Sequence, residues 1–317
     1  MNDLIVTKDL TKRFRDIQAL RGINLRVGKG ITGFIGPNGA GKTVTIRILL
    51  GYLKPTSGEA YMFGYDCWRE SIKIRRYVGV MLENPVFPKA LSCGKYLKTT
   101  AELRGYSGFE AERISGELLE FVGLKEASHR PIGKLSAGMY RRFALAHALV
   151  GEPEFLILDE PTANMDVLGR MDMLRKINEL HRKKVINVMV SSHILPELEE
   201  ICTHVVIINN GILLDCGEIE HLLYKYGLSV KKYEIICVNI ETRTIVDLLN
   251  SSDAIEEMSI KKKSITVKIK NRNKFIEEIG ELSKLCGTKI NIREVNGERK
   301  LGELFKRILK EREQNEA

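Results

Sequence analysis

The first sixty residues alternate short apolar runs with polar turns, a pattern typical of a sheet. Strands are predicted over residues 4–10, 20–27, 30–35 and 60–63. From Ser92, a plausible N-cap, the apolar spacing becomes helical, with breaks at Gly105 and Gly108 and a helix end before Gly123. We therefore expect a sheet-rich core followed by a mostly helical subdomain over residues 88–150, approximately.

The sheet pattern resumes after residue 150. Residues 155–158 are uninterrupted apolar, as a strand buried on both faces requires, and residues 185–190 and 205–209 read as further strands. Between them, residues 171–181 have apolar side chains at 171, 174, 177 and 180, the spacing of one helical face. These patterns predict an α/β fold in which helices join parallel strands.

Beyond Tyr224 the pattern changes again, so we expect a main domain over residues 1–224 and a small C-terminal α+β domain over 225–317. The predicted order is β-α-β-β-α-β, a split βαβ or ferredoxin-like arrangement. The strands are 232–240, 254–260, 264–270 and 288–295, and the helices are 243–249 and 274–285. A last helix has apolar residues on one side, which we expect to dock within the chain rather than on a partner: Leu301, Leu304, Phe305, Ile308 and Leu309.

The amino-acid composition indicates which partners and which cellular compartment to expect. The net charge is +9, but Lys and Arg are interleaved with Asp and Glu without a basic stripe, so no nucleic-acid partner is expected. The six cysteines form no C-x-x-C pair, which argues against a disulfide framework or a zinc site and for a reducing, cytoplasmic compartment. No apolar run approaches the ~18 residues that span a bilayer. Any membrane component is therefore expected to be another chain.

A glycine-rich segment between the strand at 31–35 and a helix at 44–50 matches G-x-x-x-x-G-K-[ST]. Its glycines let successive backbone N–H groups converge on one anion, and the N-terminus of the helix favours negative charge. Lys42 is expected to reach the β- and γ-phosphates, while Thr43 offers its hydroxyl to Mg²⁺. The predicted nucleotide-binding residues of this segment are Gly36, Pro37, Asn38, Gly39, Ala40, Gly41, Lys42, Thr43 and Val44.

Two carboxylates follow the apolar run at 155–158. Asp159 at the strand tip is expected to hold Mg²⁺ or its water, and Glu160 to polarise the attacking water. Alternation along a strand predicts that the two side chains point to opposite sides. A phosphate cradle alone fits kinases, GTPases, motors and transporters, so further motifs must separate these classes.

Three further motifs accompany the glycine-rich segment and the Asp159-Glu160 pair: one lies between them in the sequence, and two follow the pair. They are Leu135-Ser136-Ala137-Gly138-Met139 at the start of a helix, the turn Asn164-Met165-Asp166, and Ser191-Ser192-His193 after an apolar strand. Together with the cradle and the Asp-Glu pair, they resemble the ATP-binding cassette (ABC) ATPases over residues 1–220. The resemblance implies a P-loop NTPase core with a helical subdomain.

The resemblance also implies roles for single residues. Phe14 matches the aromatic that stacks on adenine, and His193 matches the switch histidine that touches the γ-phosphate; with Glu160 and Lys42 it is expected to be catalytic. Asp166 matches the D-loop acid that communicates across a dimer. In the family, the signature residues bind the ATP held by another protomer, so two cassettes sandwich two nucleotides head to tail. These signature residues are Ser136, Ala137, Gly138 and Met139.

Two motifs depart from the family pattern. The commonest signature is Leu-Ser-Gly-Gly-Gln, whereas this chain has Ala137 and Met139 in place of its first glycine and its glutamine. Glu83 lies where the family's Q-loop glutamine normally ligates Mg²⁺. It keeps an oxygen ligand, and the expected metal ligands are Thr43, Glu83 and Asp159, but it adds a negative charge near the triphosphate.

The resulting expectation is an ATP-hydrolysing subunit of an ABC transporter that binds ATP and Mg²⁺. It would dimerise, as a homodimer, and drive a separate integral-membrane permease in export from the cytoplasmic face of the cell membrane. Soluble ABC ATPases of translation or DNA repair are the alternative; those commonly have two cassettes or long coiled coils, which this sequence lacks. A purely regulatory nucleotide-binding module would require loss of Glu160 or His193, and both are present.

Overall fold

The computed structural model describes residues 3–228, 231–236, 245–246, 249–250, 252–261, 264–269, 272–285, 290–295 and 301–316. The chain divides into two compact units. One comprises Met1–Leu222 and Phe305–Ala317, and the other comprises Leu223–Leu304. Residues 305–317, which the sequence pattern grouped with the C-terminal domain, thus belong to the first unit. Ile308 is buried there, and Arg312 donates a hydrogen bond to the carbonyl oxygen of Leu213 over 3.3 Å.

The first unit contains two sheets. The smaller has the order β2-β1-β5-β6, with β3 paired to β1, and its pairings are antiparallel. Its strands are β1 (Ile5–Phe14), β2 (Ile17–Ile23), β3 (Arg26–Val27), β5 (Ser57–Met62) and β6 (Tyr65–Asp66). Turns at residues 15–16 and 28–30 separate β1 from β2 and β3 from the next strand.

The larger sheet positions the site. Its order is β11-β10-β4-β9-β8-β7, and every pairing is parallel except that of β10 with β11. Its strands are β4 (Ile31–Ile35), β7 (Val78–Met81), β8 (Phe155–Asp159), β9 (Asn187–Ser191), β10 (His204–Asn209) and β11 (Ile212–Glu218). All residues of β4 and β8 are buried, which explains the uninterrupted apolar run at residues 155–158. The carboxyl ends of β4, β8 and β9 therefore meet at one edge, where open α/β sheets bind ligands.

The helices between and after these strands are α1 (Lys42–Leu49), α2 (Ser71–Tyr77), α3 (Cys93–Leu103), α4 (Gly108–Phe121), α5 (Ala137–Leu149), α6 (Val167–Lys184), α7 (Leu195–Ile201) and α8 (Ile219–Lys225). In α6, Leu174, Ile177 and Leu180 are buried as the spacing predicted, but Met171 is exposed and Met173 is buried instead. Met173 lies nearer the centre of the helical face that the three other residues define, and Met171 lies outside that face.

Helices α3, α4 and α5 form the helical region predicted after residue 88. Ser92 caps α3 by accepting a hydrogen bond from the amide of Lys95 at 3.4 Å. Ser107 and Glu110 form a capping box at the start of α4. Buried aromatic rings hold the region together: the ring of Phe87 lies 5.1 Å from that of Phe143 and 5.2 Å from that of His147.

The second unit contains a four-stranded antiparallel sheet of order β13-β14-β12-β15. Its elements are β12 (Lys231–Ile236), β13 (Ile255–Lys261), β14 (Ser264–Ile269), α9 (Arg272–Leu285) and β15 (Asn291–Val295). This central placement of the first and third strands is the order of a ferredoxin-like sheet. Of the helix predicted at 243–249, residues 243, 244, 247 and 248 lie outside the described residues, while 245, 246 and 249 are helical. The final helix, α10 (Leu301–Glu316), begins in this unit and belongs to the first unit from Phe305 onward; Leu301, Leu304 and Ile308 are buried.

Candidate functional site

The glycine-rich segment forms a loop between β4 and α1, and the loop lines a cavity of about 370 Å³. Gly39 and Gly41 have φ values of 80° and 106°, a left-handed conformation that glycine adopts without strain. A Cβ atom on Gly36 would collide with the carbonyl oxygen of Ile208. Residues 37–44 all contribute to the cavity lining, whereas Gly36 lies behind it. The loop therefore has the backbone geometry of the predicted phosphate cradle.

Lys42 is folded back into this loop. Its Nζ donates hydrogen bonds to the carbonyl oxygens of Gly36 at 2.5 Å and Pro37 at 3.1 Å. Burial lowers the pKa of Lys42, while the nearby carboxylates of Glu160, Asp159 and Glu83 act in the opposite direction. The ammonium group thus lies among three carboxylates that line the same cavity.

Thr43 and Asp159 meet at one wall of the cavity. The hydroxyl of Thr43 donates to Oδ2 of Asp159 at 3.4 Å, and the hydroxyl of Ser191 donates to Oδ1 of the same carboxylate. Glu83 also lines this cavity, so the three predicted metal ligands border one space. Hydroxyl and carboxylate oxygens are the donors that Mg²⁺ prefers, and this donor set fits that ion.

Glu160 follows β8 but leaves the strand conformation. Its φ is 51°, and its amide donates to the carbonyl oxygen of Ser191 at 3.1 Å. Because strand geometry ends at Asp159, the predicted alternation does not apply, and both carboxylates line the same cavity. The prediction that they point to opposite sides is wrong for this reason.

His193 lies beside Glu160 in the lining of the cavity. Its Nδ1 lies 2.8 Å from Oε2 of Glu160, and both residues belong to the lining. Behind them, Glu197 is buried and accepts a hydrogen bond from the hydroxyl of Thr162 at 2.6 Å. Sequence reasoning missed Glu197, because an acid on a short helix gives no sign that it will be buried.

The segment after Glu83 is tied to the helical region. The hydroxyl of Tyr140, on α5, donates a hydrogen bond to the carbonyl oxygen of Pro85 at 2.7 Å. Tyr140 is the residue directly after the signature segment. This bond therefore joins the beginning of α5 to the chain that follows Glu83.

Phe14 lies outside the cavity lining, at the end of β1. Its ring is exposed, with the Lys12 ammonium 5.0 Å from its centroid, and Ala19 of the next strand borders the cavity instead. The adenine-stacking role of Phe14 stays a prediction.

The signature residues do not border this chain's own cavity. Ser136 caps α5 by accepting a hydrogen bond from the amide of Met139 at 3.3 Å, and Ser136 and Ala137 are exposed. Gly138 has open space around it, since an added Cβ would come no closer than 4.0 Å to Met165. Asp166 is exposed and caps α6 through the amide of Gly169 at 3.0 Å. These segments are thus presented at the surface of the protomer.

Arg141 is a second residue that sequence reasoning missed. It lies on α5 with 6% of its surface exposed, and its Nε donates to the carbonyl oxygen of Ala163 at 3.2 Å. Ala163 borders the cavity. The sequence contains two adjacent arginines, Arg141 and Arg142, and the pattern alone does not indicate which of them faces inward.

A buried parallel strand that leads into a glycine-rich loop, with acidic residues at the tip of another parallel strand of the same sheet, is the arrangement of P-loop nucleoside triphosphatases. Fold and site together place the chain in this class. Residues 20–163 match the family model "ABC transporter". The bacitracin transport ATP-binding protein BcrA of Bacillus licheniformis is 40% identical over 223 residues, which cover 70% of this chain and 72% of BcrA. The chain therefore belongs to the ABC transporter ATP-binding proteins, a family of ATPases that bind adenine nucleotides.

Solved structures agree with this fold. An ATP-binding subunit of an ABC transporter superposes with a TM-score of 0.65 at 29% identity, covering 71% of this chain and 94% of that one. A dimeric post-hydrolysis form of the cassette MJ0796, bound to ADP and Pi, gives a TM-score of 0.63 at 22% identity, covering 68% and 98%. Among the described residues, no helix combines the length and apolar content that crossing a bilayer requires.

Proposed function

We propose that this chain hydrolyses ATP as one of two cassettes that close head to tail around two Mg·ATP and drive a separate membrane permease, in the direction of export. The proposal rests on one observation: within one protomer, the predicted site residues do not all border the same cavity. The cradle, Glu160 and His193 border one cavity, whereas Ser136 and Gly138 are not part of its lining, and Ser136 is exposed. A complete site then needs a second protomer.

In the proposed reaction, Glu160 accepts a hydrogen bond from the attacking water and aligns it with the γ-phosphate. The contact with Nδ1 of His193 holds this carboxylate in place, which leaves Nε2 of the imidazole for the γ-phosphate or the water. Lys42 offsets charge on the β- and γ-phosphates. The oxygens of Thr43, Asp159 and Glu83 would hold Mg²⁺, which when bound neutralises phosphate charge and orients the β- and γ-oxygens.

The proposed dimer follows from the exposed start of α5. The N-terminus of this helix and the hydroxyl of Ser136 suit an anion, and in a head-to-tail pair that anion is the γ-phosphate held by the other protomer. The MJ0796 cassette, with the same fold, is dimeric with ADP and Pi. We propose a homodimer, in which two equivalent copies supply both sites.

The proposed transport role rests on the family and on its relatives. BcrA is a bacitracin transport protein, which favours export for this chain too. Because the described residues contain no helix able to cross a bilayer, we propose that the permease is a separate chain and that this protein works against it from the cytoplasmic face of the membrane.

A hydrolysis-deficient variant tests the proposal. Glu160→Gln should keep nucleotide binding and trap the closed pair, because the amide cannot polarise water. We expect a dimer in Mg·ATP and a monomer in Mg·ADP, as measured by size-exclusion chromatography with light scattering. Glu179→Gln removes an exposed carboxylate that pairs with Lys183 on α6, and it should behave like the wild type. A Glu160→Gln protein that stays monomeric in saturating Mg·ATP at high protein concentration would contradict the head-to-tail scheme.

A further inference from the structure

The two arginines that follow the signature segment have different environments. Arg142 reaches the helical region, where its Nη1 lies 3.5 Å from the carbonyl oxygen of Gly123. Arg141 is buried, and its Nε donates to the carbonyl oxygen of Ala163. Ala163 belongs to the cavity lining, so the Arg141 guanidinium lies directly behind the wall of the nucleotide cavity.

The hydrogen bonds of Arg141 are incomplete. Its Nη1 is buried and has no hydrogen-bond partner in the part of the chain that the structure describes. An arginine cannot lose its charge, and a buried donor without an acceptor is costly. A structural anchor for Ala163 alone would need only the Nε bond. The burial of the charge therefore points to nearby anions that offset its desolvation.

Those anions are carboxylates of the cavity. Burial lowers the pKa of Arg141, and Glu83 is the strongest of the neighbours that oppose this shift, ahead of Glu160 and Asp159. The same three carboxylates surround Lys42. A cavity that must admit a triphosphate thus contains three acidic side chains against one lysine, and Arg141 supplies a second positive charge behind the wall.

We propose that Arg141 is a positioning residue and the electrostatic counterpart of Glu83, so that the cavity accepts Mg·ATP despite a carboxylate where the family has glutamine. Nη1 is buried without a hydrogen-bond partner among the described residues, the Nε bond fixes Ala163 in the cavity wall, and Glu83 lines the same cavity. The inference rests on the proposed function of this cavity as the Mg·ATP site. In this proposal Arg141 and Glu83 form a charge pair, in which each side chain compensates the charge of the other.

A double-mutant cycle in the full-length protein tests the pairing. Mg·ATP and ADP affinities are measured by isothermal titration calorimetry for wild type, Arg141→Gln, Glu83→Gln and the double variant, with thermal unfolding recorded for each. Arg141→Gln leaves the Glu83 charge uncompensated, so we expect Mg·ATP to bind about tenfold more weakly. Glu83→Gln removes the charge but keeps an oxygen ligand for Mg²⁺, so this variant and the double variant should bind within about threefold of wild type, a coupling of about tenfold. Arg142→Gln is the matched control and should not change affinity.

The outcomes separate the inference from the proposed function. A double variant that binds as weakly as Arg141→Gln would show that Arg141 acts only through packing or Ala163, and the charge pairing would be wrong. If wild type itself does not bind Mg·ATP, the proposed function fails first. If Arg141→Gln does not fold, Arg141→Lys decides the matter. Lysine keeps the charge, so affinity within about threefold of wild type supports the pairing and a tenfold loss overturns it.

Discussion

The Nδ1 atom of His193 lies 2.8 Å from Oε2 of Glu160, and the two side chains differ sharply in exposure, at 59% for the histidine and 11% for the glutamate. The buried carboxylate thus has a solvent-facing partner. This pair stands at the carboxyl ends of β8 and β9, which are neighbours in the large sheet. Residues 160 and 193 are far apart in the sequence, and the pairing of β8 with β9 brings them together.

We expect His193→Ala to slow ATP hydrolysis by a factor of about 10² or more, because Glu160 loses its partner and the γ-phosphate loses a contact. Nucleotide affinity should change little, since the cradle is untouched. Phosphate release and calorimetric binding measure the two effects separately. His204, which contacts Thr203 and Glu218 at the far end of β10, provides the control variant His204→Ala. Equal losses in both variants would argue against a special role for His193.

Ser136 and Ser107 offer a matched pair of helix caps. Each accepts a hydrogen bond from a backbone amide at the start of its helix, α5 for Ser136 and α4 for Ser107. Either serine to alanine change should cost about 1 kcal/mol of stability through loss of the cap. Only Ser136→Ala should also weaken the Mg·ATP-dependent dimer of the Glu160→Gln background, because only that hydroxyl is proposed to bind a nucleotide. Light scattering measures the dimer, and chemical denaturation measures the stability.

Gly138 has no steric reason to be glycine within its own chain. Its φ lies outside the left-handed region, and an added Cβ would find nothing closer than Met165 at 4.0 Å. We expect Gly138→Ala to leave monomer stability unchanged or raise it by up to about 1 kcal/mol, since alanine favours helix. The closed dimer should form less readily, because the nucleotide of the other protomer approaches that backbone. Unimpaired dimerisation in saturating Mg·ATP would contradict this close approach.

His147 predicts an acid sensitivity of the helical region. Burial, with a smaller effect of Arg104, lowers the pKa of this imidazole to about 4 from an ordinary value of 6.5. The folded state therefore keeps His147 neutral, whereas the unfolded chain takes up a proton below about pH 6.5. Stability from this group is fully present above pH 6.5 and is lost as the pH falls towards 4. At pH 5 the loss should be about 2 kcal/mol. Denaturant unfolding at pH 7 and pH 5 measures it, and His147→Gln should lack this component.

The side chains that border the cavity could be predicted from the sequence because short motifs fix local geometry. The cradle between β4 and α1 needs glycines at given positions, and Asp159 and His193 follow buried strands that parallel pairing brings together. The helix cap predicted at Ser92 is likewise local, since its side chain bonds an amide three residues later.

Other features depend on the packing of distant segments. The opposite-side prediction for Asp159 and Glu160 failed because Glu160 adopts a positive φ that no periodicity encodes. The burial of Arg141 rather than Arg142 is set by the loop at Ala163, 22 residues further along the chain. Cys67 and Cys93 are free thiols, while Cys237 and Cys286 lie outside the described residues.

The bond from the Tyr140 hydroxyl to the Pro85 carbonyl oxygen ties the start of α5 to the chain after Glu83. We expect a ligand that draws Glu83 inward to pull on the end of α5 at which Ser136 is exposed. Occupancy of one cavity would then reach the surface that a neighbouring molecule meets, by a route of a few residues that bypasses the central sheet.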